Sequence, residues 1–250
     1  MSGHSKWSSI KHKKGAADAK RGQLFSKLSR AIIVAAREGG PDPDGNATLA
    51  TAIQKARDNS MPKDNIERAI ARGAGTSIDG EAYEHITYEG YGPSGVALFV
   101  EALTDNRNRT ASDVRHIFTK NDGSLGESGS VAWLFERKGV ILVPDSADED
   151  ELTLAAAEGG AEDVLREGSS FEVISAPDDL QAVREALEAA GIAYESADLT
   201  MLPKTTVPIE DESAAKKLLR LMDALEENDD VQDVYANFDI PERVLETVAT

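Results

Sequence analysis

The sequence contains no cysteine among its 250 residues. Disulfides, thiol nucleophiles and cysteine-based metal sites are therefore excluded, and a reducing compartment fits the composition. Aromatic residues make up only 5% of the chain, so its cores must be built from aliphatic side chains. No apolar run approaches the roughly 20 residues that a membrane-spanning helix needs. The amino terminus also lacks the apolar run and cleavage site of a secretory signal, and we expect a cytoplasmic protein without membrane association.

Patterns that would indicate catalysis are scarce as well. The four histidines have none of the spacings typical of zinc sites, and segment 126–130 lacks the final glycine of a nucleophile elbow. Segment 90–95 reads G-x-G-x-x-G, but a dinucleotide site needs a helix next, and Val96–Leu103 is β-branched and apolar. A hairpin turn is the favoured interpretation of this segment. We therefore predict no enzyme activity, no cofactor and no metal.

Charge is unevenly distributed along the chain. The net charge is −18, yet residues 1–75 carry 14 Lys and Arg against 7 Asp and Glu, a net +7 that leaves −25 for residues 76–250. Such asymmetry is typical of a chain that meets a polyanion with one part, while the remainder keeps non-specific binding weak. The sequence therefore predicts a nucleic-acid contact near the amino terminus.

The basic residues concentrate in the first thirty positions, where Asp18 is the single acid. An amphipathic helix is predicted from Ala16 to about Glu38, with its apolar stripe facing away from the basic side chains. A disordered tail is the simpler interpretation, but the positive charge continues onto the outer face of this helix, which favours phosphate binding. Trp7 can stack on a base or anchor the arm. The predicted nucleic-acid-binding residues are Lys6, Trp7, Lys11, His12, Lys13, Lys14, Lys20, Arg21, Lys27 and Arg30.

A second candidate site follows the predicted strand Val96–Leu103. The polar segment 104–110 joins this strand to a helix predicted to begin in a capping box, Thr110-Ala-Ser-Asp113. Helix capping by Asn108 or Thr110 is the simpler explanation, but capping needs one such residue rather than seven. The two arginines supply planar donor groups that suit phosphates and base edges. The predicted functional loop comprises Asp105, Asn106, Arg107, Asn108, Arg109 and Thr110.

The chain is organised as a helical region followed by alternating strands and helices. Pro62 is predicted to begin the third helix, which ends at Gly73. Strand patterns follow, including one at Val131–Phe135. The acidic runs 148–151 and 226–230 are interpreted as solvated faces or helix starts. The predicted class is α+β.

Several motifs together resemble the YebC/PmpR family, and the similarity covers essentially the whole chain. The motifs are Gly3-His-Ser-Lys-Trp7, Asp18-Ala-Lys-Arg-Gly22, Ala69-Ile-Ala-Arg-Gly73, Tyr88-Glu-Gly-Tyr-Gly-Pro93, Asp105-Asn-Arg-Asn-Arg-Thr110, Val114-Arg-His116 and Gly129-Ser-Val131.

The resemblance implies a non-enzymatic cytosolic protein of three domains. A three-helix domain would be followed by two small ferredoxin-like α+β domains, the last inserted into the middle one. The predicted boundaries are 1–78 for the helical domain with its basic arm, 79–132 plus 205–250 for the middle domain, and 133–204 for the acidic insertion. Family members are described as DNA-binding transcriptional regulators, whereas related mitochondrial translational activators indicate the ribosome and relief of stalling at sequences such as proline runs.

We therefore predict a regulator of gene expression that binds RNA or the ribosome, with a DNA-binding transcriptional regulator as the alternative. No clear helix-turn-helix is present, which disfavours DNA, although the predicted helix Asp64–Arg72 offers Asn65, Arg68 and Arg72 for base contacts. A hydrolase in the glycine-rich region has little support. The target sequence and the oligomeric state stay open, a monomer included.

Overall fold

The computed structural model describes residues 18–75, 83–168 and 170–248. The chain begins with three helices, and strands and helices alternate after them. In chain order the elements are α1 (Asp18–Gly39), α2 (Ala47–Asp58), α3 (Lys63–Ala74), β1 (Glu84–Tyr91), β2 (Ala97–Thr104), α4 (Arg107–Lys120), β3 (Ser124–Leu125), β4 (Phe135–Pro144), α5 (Glu149–Glu158), β5 (Ala161–Glu167), β6 (Ser170–Ser175), α6 (Leu180–Ala189), β7 (Ser196–Pro203), β8 (Val207–Pro208), α7 (Glu212–Glu226), β9 (Val231–Ala236), β10 (Phe238–Asp239) and α8 (Glu242–Val248).

The first three helices share one aliphatic core. Ile32 of α1 and Leu49 of α2 are fully buried in it, and Ile66 of α3 is nearly so. The prediction that the third helix ends at Gly73 is wrong by one residue, because this glycine is buried inside α3. A Cβ at Gly73 would lie 2.5 Å from the carbonyl oxygen of Ile33, so glycine is what allows α3 to pack tightly against α1.

The middle sheet has the strand order β3-β1-β2-β9, and its paired strands are antiparallel. Helices α4 and α7 cover one face of this sheet, where Leu98 and Val100 of β2 meet Phe118 of α4 and Leu218 of α7. Strands β1 and β2 form a hairpin through the G-x-G-x-x-G segment, with Tyr91 opposite Ala97. The hairpin interpretation of that segment is confirmed.

The second four-stranded sheet lies within the insertion and has the order β5-β6-β4-β7. Its elements follow the chain order β4-α5-β5-β6-α6-β7, with every pair of neighbouring strands antiparallel. This is the ferredoxin-like arrangement, in which each helix connects two strands that have a third strand between them. The chain leaves the middle sheet after β3 and returns to it with α7 and β9. The α+β class with an inserted third domain is confirmed.

The junction of the two sheets is built on the second face of β2. Phe99 packs there against Phe135 and Tyr235, with ring centroids 6.1 and 6.4 Å away. The predicted strand Val131–Phe135 is wrong, because Ala132–Leu134 form a 3₁₀ turn and the strand begins only at Phe135. The N–H groups of Val131 and Ala132 bind a carboxylate, which keeps them out of a strand ladder.

Over residues 18–75, 83–168 and 170–248, no helix has the length and apolar character needed to cross a bilayer.

Candidate nucleic-acid interface

The predicted basic arm falls mostly outside the described residues. Six of its members precede Asp18, where the described chain begins, and the side chain of Lys20 is likewise outside it. These six are Lys6, Trp7, Lys11, His12, Lys13 and Lys14. Their role in binding stays a prediction. Arg21 is described and exposed, with its guanidinium 5.4 Å from the ring centroid of Phe25.

Lys27 and Arg30 project from α1 toward the carboxyl end of α7, although the sequence predicted an open face for them. The Lys27 ammonium donates to the carbonyl oxygen of Glu226 at 2.5 Å, and the Arg30 guanidinium donates to that of Asp229. Gln23 adds a bond to the carbonyl oxygen of Glu227 at 2.6 Å. The last carbonyls of a helix lack partners within it and carry partial negative charge, so these cations fit there. They dock the helical domain on the middle domain.

The acidic run 226–230, interpreted from the sequence as a solvated face or a helix start, forms the end of α7 and the turn into β9. Glu227 and Asp229 are exposed, as a solvated face requires, whereas Asp230 is buried, and α1 binds the backbone carbonyls of the run. A second contact between the same domains joins the Lys55 ammonium of α2 to the Asp233 carboxylate of β9 at 3.2 Å. The Asp233 charge raises the pKa of Lys55 in spite of partial desolvation, which keeps this lysine positive.

Asp230 is the buried centre of this contact, with a side chain only 8% exposed. Its Oδ2 atom accepts from the Arg109 guanidinium at 2.8 Å and from the Thr110 hydroxyl at 2.7 Å, and the Thr104 hydroxyl lies at 3.2 Å. Its Oδ1 atom lies 3.5 Å from the Arg30 guanidinium. Burial tends to raise the pKa of Asp230, but the bonds from Arg109 and Thr110 and the nearby arginine charges outweigh it and hold the pKa below its ordinary value.

The polar segment 104–110 is the end of β2 followed by the first turn of α4, rather than a loop. The helix begins at Arg107, and Asn106 caps it by accepting from the Arg109 N–H at 3.1 Å. The predicted capping box at Thr110 is wrong. The hydroxyl of that threonine is buried and directed at Asp230, so it does not cap a helix end.

The side chains of this segment differ in how far they are bonded within the chain and how far they are exposed to a partner. Arg109 is held on both sides, since it also donates to the Asp105 carboxylate at 2.8 Å. The Arg107 side chain is 69% exposed, and its guanidinium lies 3.6 Å from a Glu84 oxygen. Asn108 is exposed as well. Arg109 is itself 48% exposed, but its guanidinium is directed at Asp105 and Asp230. Arg107 and Asn108 are exposed without a bond to Asp230, at the amino end of α4 where partial positive charge favours anions.

The glycine-rich segment 126–131 binds a carboxylate from within the chain. Glu89 is buried, and its oxygens accept from the N–H groups of Gly129, Val131 and Ala132 at 2.6 to 2.7 Å. Burial tends to raise the pKa of Glu89, but these three bonds hold it below its ordinary value. The amides that could have stabilised an oxyanion are thus already used. Within the described residues no group of three or more His, Cys, Asp or Glu is arranged to hold a metal.

Two family models match this chain. The model described as "TACO1/YebC protein N-terminal domain" matches residues 5–76, and "TACO1/YebC second and third domain" matches residues 83–238. The chain belongs to the TACO1/YebC family.

Relatives within the TACO1/YebC family are similar over nearly the whole length. A "Probable transcriptional regulatory protein" of Rubrobacter xylanophilus is 64% identical over 250 residues, all of both chains. One of the same name from Halothermothrix orenii is 56% identical over 99% of each chain. A crystal structure of a conserved hypothetical protein, Aq1575 of Aquifex aeolicus, is 54% identical and superposes with a TM-score of 0.81, covering 90% of this chain and 93% of that one.

The contacts of Asp230 predict that its carboxylate stabilises the folded protein. We expect Asp230→Asn to lower the free energy of unfolding at pH 7 by about 2–4 kcal/mol, because Arg109 loses a buried charge partner. The folded-state pKa of Asp230 is depressed, so its contribution is present above the ordinary carboxyl pKa and is lost as the pH falls through the folded value. The difference between wild type and variant should therefore shrink below about pH 4. Urea unfolding at pH 7 and pH 3 measures both differences.

The matched control is Asp145→Asn, which changes an exposed aspartate of the insertion. We expect this control to change the free energy of unfolding by less than about 0.5 kcal/mol at either pH. Equal effects of the two substitutions, or a loss in Asp230→Asn that is the same at both pH values, would contradict the assignment of Asp230 as a buried charged centre.

Proposed function

We propose that this chain is a non-enzymatic, cytoplasmic regulator of gene expression that binds RNA, and that it acts on the ribosome to relieve stalled translation. The observation that carries the proposal is the charge split, +7 in residues 1–75 against −25 in the remainder. A polyanion is attracted to the first part and repelled by the second, so binding is confined to one side of the molecule.

The contacts of Asp230 support a single binding face. Arg30 of α1 and Arg109 of α4 both reach this carboxylate, so the helical domain and the amino end of α4 lie side by side. Arg107 extends from that end of α4. A nucleic acid held by the basic arm and α1 would then have Arg107 and Asn108 within its reach. Two contact points on one polyanion give register as well as affinity.

A DNA-binding transcriptional regulator is the second candidate. The printed names of the Rubrobacter and Halothermothrix relatives favour it, since both are called probable transcriptional regulatory proteins. Helix α3 also carries Arg68 and Arg72 as exposed side chains, beside Asn65. Phosphate contacts themselves carry no sequence information, so both candidates use the same basic surface.

Reversing charge in the arm separates the two candidates. We expect the triple substitution Lys11→Glu, Lys13→Glu and Lys14→Glu to abolish binding and to flatten its salt dependence. Each lost phosphate contact makes the negative slope of log K against log salt less steep by about 0.7 to 0.9. Ribosome sedimentation and genome-wide DNA crosslinking are measured in the same cells. The RNA proposal is supported if the wild type sediments with ribosomes, the arm variant does not, and the wild type gives no DNA crosslinks. The DNA candidate is supported if the wild type crosslinks to DNA, the arm variant does not, and the wild type does not sediment with ribosomes.

The control for the arm variant reverses three exposed lysines elsewhere, Lys120, Lys204 and Lys216→Glu, for the same change in net charge. It should bind like the wild type. Unchanged binding of the arm variant to both RNA and DNA, or equal losses in the control, would contradict a role for the arm.

A second prediction separates Arg107 from Arg109. We expect Arg107→Ala to leave the free energy of unfolding within about 0.5 kcal/mol, because its pair with Glu84 is exposed, and to reduce read-through of a stalling sequence in a translation assay by about tenfold or more. Arg109→Ala should instead destabilise the fold, because it removes a partner of Asp230. The control Arg115→Ala removes an exposed arginine from the same helix. Full activity of Arg107→Ala in this assay would contradict a functional role for the exposed amino end of α4.

A further inference from the structure

An open groove runs between α1 and α3 on the helical domain. Two adjoining parts of it enclose about 420 and 430 Å³. Of the described residues, six line the second part, and four of them also line the first. The six are Ser29, Ile33, Asn65, Arg68, Ala69 and Arg72.

Positive charge and polar groups line the rim of the groove. Arg68 and Arg72 are both exposed. The Arg68 guanidinium donates to the carbonyl oxygen of Asp64 and to the Asn65 amide oxygen, which uses two of its five N–H donors. Within the described residues, the Arg72 guanidinium has neither a hydrogen-bond partner nor an ion-pair partner. Among the residues that the structure describes, no carboxylate lines either part of the groove, so the rim suits an anion.

The floor and the far wall of the groove are apolar and aromatic. Ile33 and Ala69 are buried at the floor, 7% and 4% exposed. Phe25 and Tyr83 add half-buried rings to the first part of the groove. The Arg30 guanidinium lies 5.2 Å from the Tyr83 ring centroid. Aromatic rings interleaved with arginines are the arrangement on which unpaired bases stack in proteins that bind single strands.

We propose that this groove binds a single-stranded nucleic acid, with a base against Phe25 and Tyr83 and the flanking phosphates on Arg68 and Arg72. The proposal rests on the proposed function and deepens it, because it names the form of nucleic acid and the residues that hold it. A nucleotide has a planar base that can stack on the aromatic rings of the groove and a phosphate that can bind its arginines.

The shape of the groove selects against the other polyanions. The groove is an open furrow on the surface of two packed helices, along which an extended strand can lie with its bases turned inward, whereas a duplex keeps its bases inside the stack. An acidic peptide would pair with the arginines but would leave the aromatic wall without a planar partner. The groove also lies beside the exposed end of α4, since Tyr83 of its wall precedes Glu84, the residue that faces Arg107.

The test uses the full chain and a labelled 12-nucleotide RNA of mixed sequence, as a single strand and as a duplex with its complement. We expect the double variant Arg68→Gln, Arg72→Gln to bind the single strand about tenfold or more weakly. Loss of two phosphate contacts should make its negative slope of log K against log salt less steep by about 1.4. The control Arg57→Gln removes an exposed arginine from α2, outside the groove, and should bind within twofold of wild type. A 4-thiouridine-substituted strand should crosslink to the peptides that contain Phe25 or Tyr83.

The outcomes distinguish this inference from the function on which it rests. Wild-type affinity in the groove variant, together with loss of binding in the charge-reversed arm variant, overturns the groove and leaves the proposed function standing. No binding of any nucleic acid by the wild type overturns both. Duplex binding as tight as single-strand binding overturns the assignment of a single strand. Displacement of the RNA by poly-glutamate at matched charge, without the crosslinks, identifies an acidic peptide instead.

Discussion

The buried Asp230 carboxylate is the interaction on which the arrangement of the domains depends. A buried charge is tolerated only where donors and opposite charge surround it. Arg109, Thr110 and Thr104 supply those partners from the middle domain, and Arg30 approaches from the helical domain. The turn after α7, the first turn of α4 and the helix α1 are consequently held together at one point. Gln23 and Lys27 extend the same contact along the end of α7.

This constraint divides the positive charge of the chain into two kinds. Lys27, Arg30 and Arg109 are directed at carbonyl and carboxylate oxygens within the molecule, so much of their charge is compensated there. Arg68 and Arg72 of α3 and Arg107 of α4 are exposed and are not directed at Asp230 or at the end of α7. The proposed interface is therefore smaller than the count of basic residues indicates, but its position is better defined. Its members belong to two domains, so their spacing depends on how firmly those domains are joined.

The sequence predicts well what depends on near neighbours. The apolar period of α1 and the hairpin at Gly92 follow from local patterns, and the structure confirms them. It predicts poorly what depends on distant partners. Thr110 was expected to cap a helix, but its hydroxyl binds a carboxylate 120 residues away, which leaves capping to Asn106. In the acidic run 226–230, interpreted as a solvated face, Asp230 is nevertheless buried, and α1, about 200 positions earlier, binds the carbonyl oxygens beside it. The two-residue strands β3, β8 and β10 are too short to show a period.

The central claim is that contacts around Asp230 hold the helical domain rigidly on the middle domain, and a distance measurement tests it directly. Because the chain has no cysteine, cysteines introduced at the exposed positions Thr51 of α2 and Thr119 of α4 carry spin labels at those positions alone. Pulsed electron paramagnetic resonance then gives the distribution of distances between the two labels. We predict a single narrow distribution for the otherwise unchanged chain and a broad one when Arg30→Gln and Asp230→Asn are added. A broad distribution without these substitutions, or an equally narrow one with them, would contradict the account.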